Sequence, residues 1–101
     1  MTTQRGPLDQ YPVYDPMVAC RTLDGEAVVV HSRTRRLHVL DEVGTYIWEA
    51  CADGTRTIAD IVAGLVDEFE VDQATAERDT REFLDELARE KLVRLQQDPS
   101  A

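Results

Sequence analysis

The sequence is poor in the residues that most chemistry needs. It has two cysteines, two histidines, one tryptophan and two methionines in 101 residues, and aromatics make up only 6%. Cys20 and Cys51 show neither a Cys-x-x-Cys nor any zinc-ligand spacing, which excludes a zinc finger or a thioredoxin-like redox motif. Both read as small buried apolar side chains. His31 and His38 fall on neighbouring predicted strands with no third ligand placed by spacing, so they read as partly exposed strand histidines. No apolar run exceeds four residues, as in Ala27-Val28-Val29-Val30, which leaves nothing to cross a membrane as a helix. The first residues lack the apolar core of a secretory signal, so the expected compartment is the cytoplasm. No P-loop, EF-hand loop or Gly-x-Gly-x-x-Gly occurs. No nucleophile has a base placed beside it, and no metal set exists. The expectation is a protein without catalysis, metal or cofactor.

Positive charge is also scarce, and unevenly spread. Lys and Arg number 11 against 20 Asp and Glu, a net of −9. Residues 1–40 hold five basic and four acidic residues, whereas residues 41–101 hold six and sixteen. An acidic C-terminal part repels phosphate backbones and anionic lipid, so neither nucleic acid nor membrane is an expected partner. The basic residues of the first part cluster at Arg33, Arg35 and Arg36.

What remains is a well-patterned small domain. Residues 1–16 hold three of the four prolines and read as an extended arm, mobile at its start. Met17 to Leu23 and Glu26 to His31 read as strands joined by Asp24-Gly25, a dipeptide suited to a two-residue hairpin whose central residues both need positive φ. Arg36 to Leu40 is a third short strand, completing an antiparallel meander. At Asp41 the apolar period lengthens from two to 3.6 residues. Asp41 caps a first helix, ended by Asp53-Gly54. Thr57 with Asp60 resembles a capping box for a second helix bearing Ile58, Ile61, Val62, Leu65, Val66 and Phe69. Asp72 caps a third helix that runs to about Glu90, with Ala76, Thr80, Phe83, Leu84, Leu87 and Ala88 on one face. Gly44 is expected to pack closely on the sheet, and Trp48 to fill the core. Leu92 to Leu95 alternates as a short last strand, and residues 96–101 form a polar tail. The predicted fold class is α+β and winged-helix-like: a three-stranded antiparallel sheet followed by three helices.

A three-strand meander leaves an edge that must be protected or used. The third strand is such an edge and is flanked by arginines. Its functional reading is addition of a peptide strand, with Arg35 and Arg36 favouring an acidic one.

The segment Leu40-Asp41-Glu42-Val43-Gly44-Thr45-Tyr46-Ile47-Trp48 resembles the Leu-Asn-x-x-Gly-x-x-x-Trp stretch of the PqqD-like family, with Asp41 where that family most often has Asn. The resemblance continues through Gly54-Thr55-Arg56-Thr57-Ile58-Ala59-Asp60-Ile61, Phe69 to Asp72, Glu77 to Leu87 and Leu92-Val93, covering residues 17–95. It implies a RiPP recognition element: a peptide chaperone that binds the leader of a ribosomally made precursor peptide and presents it to a modifying enzyme, often a radical SAM protein. The leader would add beside the third strand in a groove walled by the third helix. The implied site residues are Arg35, Arg36, Leu37, His38 and Val39 on the strand, and Arg78, Arg81, Leu84, Asp85 and Ala88 on the helix. Leu40 is expected to point into the core. Two other readings remain open at this point: a winged-helix nucleic-acid binder, and a subunit that only scaffolds a larger enzyme.

Overall fold

A computed structural model describes residues 7–99, so the start of the arm and the end of the tail lie outside the described residues. The chain runs through β1 (Tyr11–Tyr14), β2 (Val18–Leu23), β3 (Glu26–His31), β4 (Leu37–Val39), α1 (Glu42–Ala50), α2 (Ile58–Phe69), α3 (Gln73–Arg89) and β5 (Val93–Gln96), after one 3-10 turn at Pro7–Asp9. The expected meander is β2-β3-β4, antiparallel throughout, and three helices follow it. At the hairpin, Asp24 and Gly25 both take positive φ, 52° and 82°, as the two-residue turn demands.

The arm is more than an extended chain. It holds β1, which pairs antiparallel with β5 to make a second, two-stranded sheet, Tyr14 opposite Val93 and Tyr11 opposite Gln96. Pro12 is buried, and Leu8 and Tyr14 pack on the core. Tyr14 lies stacked on Trp48 with ring centroids 4.0 Å apart, and burial raises its phenol pKa. Trp48 does fill the core. The seam is tied by Asp15, whose N–H donates to the Leu92 carbonyl (3.0 Å) and whose carboxylate accepts from the Met17 N–H (2.9 Å) and from Arg94 Nε (3.3 Å).

The helix starts follow the sequence closely. The Asp41 carboxylate accepts from the Gly44 N–H at 2.7 Å, Thr57 and Asp60 form the reciprocal capping box, and Asp72 accepts from the Thr75 N–H. One layer of apolar side chains from β3 (Ala27, Val29), α1 (Ile47, Trp48), α2 (Ile58, Ile61, Val62, Leu65) and α3 (Ala76, Leu84, Leu87) closes the core together with Leu92 and Val93. Leu40 is buried, as expected. Thr45 locks the sheet to α1: its hydroxyl accepts from the Ala27 N–H (2.9 Å) and donates to the Leu40 carbonyl (3.3 Å).

Several other expectations are corrected. Cys20 is exposed, and only Cys51 is buried; burial pushes the Cys51 thiol up to about 12. His31 is buried, and its Nδ1 accepts from the Arg33 N–H at 3.1 Å, so it braces the turn after β3. Gly44 packs on more than the end of the sheet, where a Cβ would stand 3.5 Å from Leu40 Cβ. A Cβ there would stand 3.2 Å from Phe83 Cζ on α3, so the glycine lets α3 close over the start of α1.

Three carboxylates are held below the usual range by hydrogen bonds: Asp15 by the Met17 backbone, Asp53 by the side chain and backbone of Thr55, and Asp72 by those of Thr75. A lowered folded pKa adds stability above the unfolded value of about 3.9, and that stability is lost as pH falls through the folded values. The melting temperature should therefore hold from pH 7 to about pH 5 and fall below about pH 4. Asp15→Asn should lower it at pH 7 and flatten the acid limb. A melting temperature unchanged between pH 7 and pH 3 would reject this assignment.

Candidate functional site

Backbone direction decides which edge of the sheet is available. In an antiparallel ladder, successive residues turn their N–H and C=O groups alternately to either side. The Leu40 N–H donates to the Ala27 carbonyl at 2.8 Å, and β4 pairs Val28 with Val39, Val29 with His38 and Val30 with Leu37. His38 and Leu40 thus address β3, whereas Leu37 and Val39 turn their N–H and C=O groups to the open edge.

Side chains follow the complementary rule. Ala27, Val29 and His31 are buried on the inner face, and His38 shares that face. Leu37 and Val39 share the outer face with Val30 and Val28 and are 63% and 59% exposed. The strand therefore offers backbone at its edge, His38 toward α3, and two bare aliphatics outward.

Across from β4 stands α3. Arg36 bonds Glu90 at 2.8 Å, and His38 Nε2 lies 3.6 Å from the same carboxylate. Further along, Val39, Leu40, Val43, Gly44 and Ile47 line an open hollow of about 500 Å³ together with Asp79 and Phe83. The α3 residues that meet this groove are thus Asp79, Phe83 and Glu90. Spacings of four and seven residues along a 3.6-residue turn put Glu86 on the same stripe.

The residues expected on α3 do not line this hollow. Leu84 is 0% exposed, inside the core behind the groove. Arg78, Arg81 and Asp85 line a separate shallow depression with Ala74, Glu77 and Glu82. Ala88 lines a third hollow with Asp15, Met17, His31, Arg33 and Lys91. The cause is rotation. Ala76, Thr80, Leu84 and Leu87 are drawn into the core, and at 100° per residue that setting turns Asp79, Phe83, Glu86 and Glu90 toward β4. On the strand, Arg35, Arg36, Leu37, His38 and Val39 do lie at or beside the open edge. In the sequence, the α3 face that lines this hollow is marked by Phe83, an aromatic at the margin of the apolar stripe with acidic residues four before and three after it.

The profile of the PqqD family, described as coenzyme PQQ synthesis protein D, matches residues 26–93, from β3 to the first residue of β5. The chain belongs to the PqqD family. Among solved structures, TbiB1 in complex with the TbiA(beta) leader peptide is 36% identical, with a TM-score of 0.75 over 80% of this chain and 93% of that one. Lasso peptide synthetase B1 complexed with the leader peptide has the same fold at 23% identity, with a TM-score of 0.75 over 83% and 98% of the two chains. No curated protein matches the chain. As in the sequence-based expectation, this PqqD-family chain has an α+β fold with a three-stranded antiparallel sheet and three helices. Among the described residues, no helix is long and apolar enough to cross a membrane, and no three His, Cys, Asp or Glu side chains gather as a metal set.

Proposed function

We propose that the chain binds the leader segment of a ribosomally made precursor peptide as a strand added to β4, and presents it to a modifying enzyme without catalysing a step itself. The observation that carries this reading is the open β4 edge, where the N–H and C=O groups of Leu37 and Val39 face outward beside the groove lined by Phe83. Strand addition gives affinity through main-chain bonds and selectivity through alternate side chains. A leader residue opposite His38 would point into the groove and meet Val43, Gly44 and Phe83, with Asp79, Glu86 and Glu90 around them. An apolar side chain fits that floor, and a basic one fits its rim. Arg36 is compensated by Glu90, so of the two arginines expected to attract an acidic leader, Arg35 remains.

The nucleic-acid reading has less support. The outer face of α3 intersperses Arg78 and Arg81 with Glu77, Glu82 and Asp85, and Arg78 reaches Asp79 at 3.4 Å. A recognition helix needs a basic stripe for the phosphates.

Calorimetry tests the proposal with the leader peptides of ribosomally made precursors, a scrambled leader, and a DNA duplex at physiological salt. One-to-one binding of the leader alone is expected, with amide shifts at Leu37 and Val39. Binding to the duplex in place of the leader, or equal binding to the scrambled peptide, would overturn it.

A further inference from the structure

The hollow between the turn after β3 and the end of α3 has no part in strand addition itself. Resting on the leader reading, we infer that this hollow is a carboxylate site. It holds an acidic residue of the leader from the stretch that runs on past Leu37, just beyond the paired strand.

The hollow encloses about 470 Å³. Arg33, Lys91 and Arg94 line it with a single carboxylate, Asp15, in a chain of net charge −9. Asp15 is already engaged, by Arg94 Nε at 3.3 Å and by the Met17 N–H at 2.9 Å. Among the described residues, neither Arg33 nor Lys91 joins an ion pair. Both are exposed, so a carboxylate reaches them without displacing a partner.

The backbone holds both cations in place. The buried His31 ring accepts at Nδ1 from the Arg33 and Thr34 N–H groups at 3.1 and 3.4 Å. The His31 carbonyl accepts from the Arg35 N–H at 2.7 Å, which closes the turn that carries Arg33. Lys91 follows α3 in the left-handed conformation, with φ 62°. Its N–H donates to the Ala88 carbonyl at 3.0 Å, and the Leu92 N–H donates to the Leu87 carbonyl at 2.9 Å. Glycine is the usual residue at such a helix end, so the fold itself does not call for a long cation there.

Position and charge select the occupant. β4 offers three residues, Leu37–Val39, so a longer added strand runs past both of its ends. Past Leu37 it meets Arg36, which reaches from the start of β4 to Glu90 at the end of α3. Arg33 belongs to the same turn as Arg36, and Lys91 follows Glu90. Past Val39 the sign is opposite: the hollow at Phe83 is lined by Asp41 and Asp79 and by no basic residue. The sheet is antiparallel throughout, and that pairing is the more stable one. A leader added antiparallel to β4 brings its C-terminal flank to Arg33 and Lys91. Acidic residues in that flank are attracted and basic ones repelled, which sets the direction of the leader on the edge.

Three probes test this on the full chain: a leader peptide of a ribosomally made precursor, and two versions whose C-terminal flank carries three glutamates or three lysines. Exposed ion pairs contribute up to about fivefold each. The glutamate version should therefore bind about tenfold tighter than the lysine version at low salt, and the gap should narrow as salt screens it. Arg33→Glu/Lys91→Glu should reverse the preference. Arg33→Gln/Lys91→Gln should erase it, and decides the matter should the charge-reversed variant not fold. Amide shifts separate this site from the strand. Leu37 and Val39 should shift with every version that binds, Arg33 and Lys91 with the glutamate version. Equal binding of the two versions, with shifts at Leu37 and Val39, would overturn the carboxylate site and leave strand addition standing. A charge preference that survives in the folded variants would overturn it as well. A preference with shifts at Arg33 and Lys91 but none at Leu37 and Val39 would keep the carboxylate site and overturn strand addition instead.

Discussion

Val39→Pro should leave the protein folded and weaken binding of the leader peptide about 10- to 100-fold. The Val39 N–H faces the open edge, so proline there removes no bond within the sheet, and edge positions tolerate it. An incoming strand loses more. It forfeits one main-chain hydrogen bond, worth about 0.5–1.5 kcal/mol net, and meets the pyrrolidine ring where its own backbone must approach. Together these amount to roughly 1.5–3 kcal/mol, which sets the fold-change. His38→Pro is the contrasting variant. The His38 N–H belongs to the β3–β4 ladder, so proline there should lower stability and displace the strand. Calorimetry on the two variants, each checked by circular dichroism, separates the effects. A folded Val39→Pro protein that binds the leader at full affinity would mean that the peptide docks elsewhere.

That experiment is well posed because so much of the β4 edge was legible in the sequence. The strand boundaries followed from the Asp24-Gly25 turn and the β-branched run Val28 to Val30, and Asp41 marked where the strand must stop. The caps at Asp41, Thr57 and Asp72 are local chemistry, decided within four residues, and all three form as expected. Two features were not legible. β1 finds its partner about 80 residues away in β5, and a Pro-containing four-residue strand carries no local mark of so distant a pairing. The rotation of α3 was open because its apolar residues span a wide arc, from Phe83 through Leu84 and Leu87 to Ala88. Which part of that arc enters the core depends on α2 and on Gly44, whose missing side chain admits Phe83. Leu84 was accordingly expected on the groove wall, one residue from the side chain that stands there. His31 is a similar case. Its strand position was evident, but its burial depends on a turn that donates two backbone N–H groups to its ring.

Leu84→Ala measures that rotation directly. With 0% exposure and a place in the core cluster to which all three helices contribute, Leu84 should cost about 2–5 kcal/mol when truncated, the lost transfer energy plus the cavity left behind. For a domain of this size that lowers the melting temperature by about 10 °C or more. Asp85→Ala, on the exposed neighbour, should stay within about 0.5 kcal/mol. Phe83→Ala should act differently from both. Phe83 is only partly buried and lines the hollow, so its removal should weaken leader binding more than Leu84→Ala does at a temperature where both variants are folded. Urea melts of the three variants, with calorimetry on the folded ones, distinguish the two settings of α3. If Leu84 walled the groove, its truncation would cost affinity and little stability; a loss under about 1 kcal/mol with weakened binding would place it there and turn Phe83 inward.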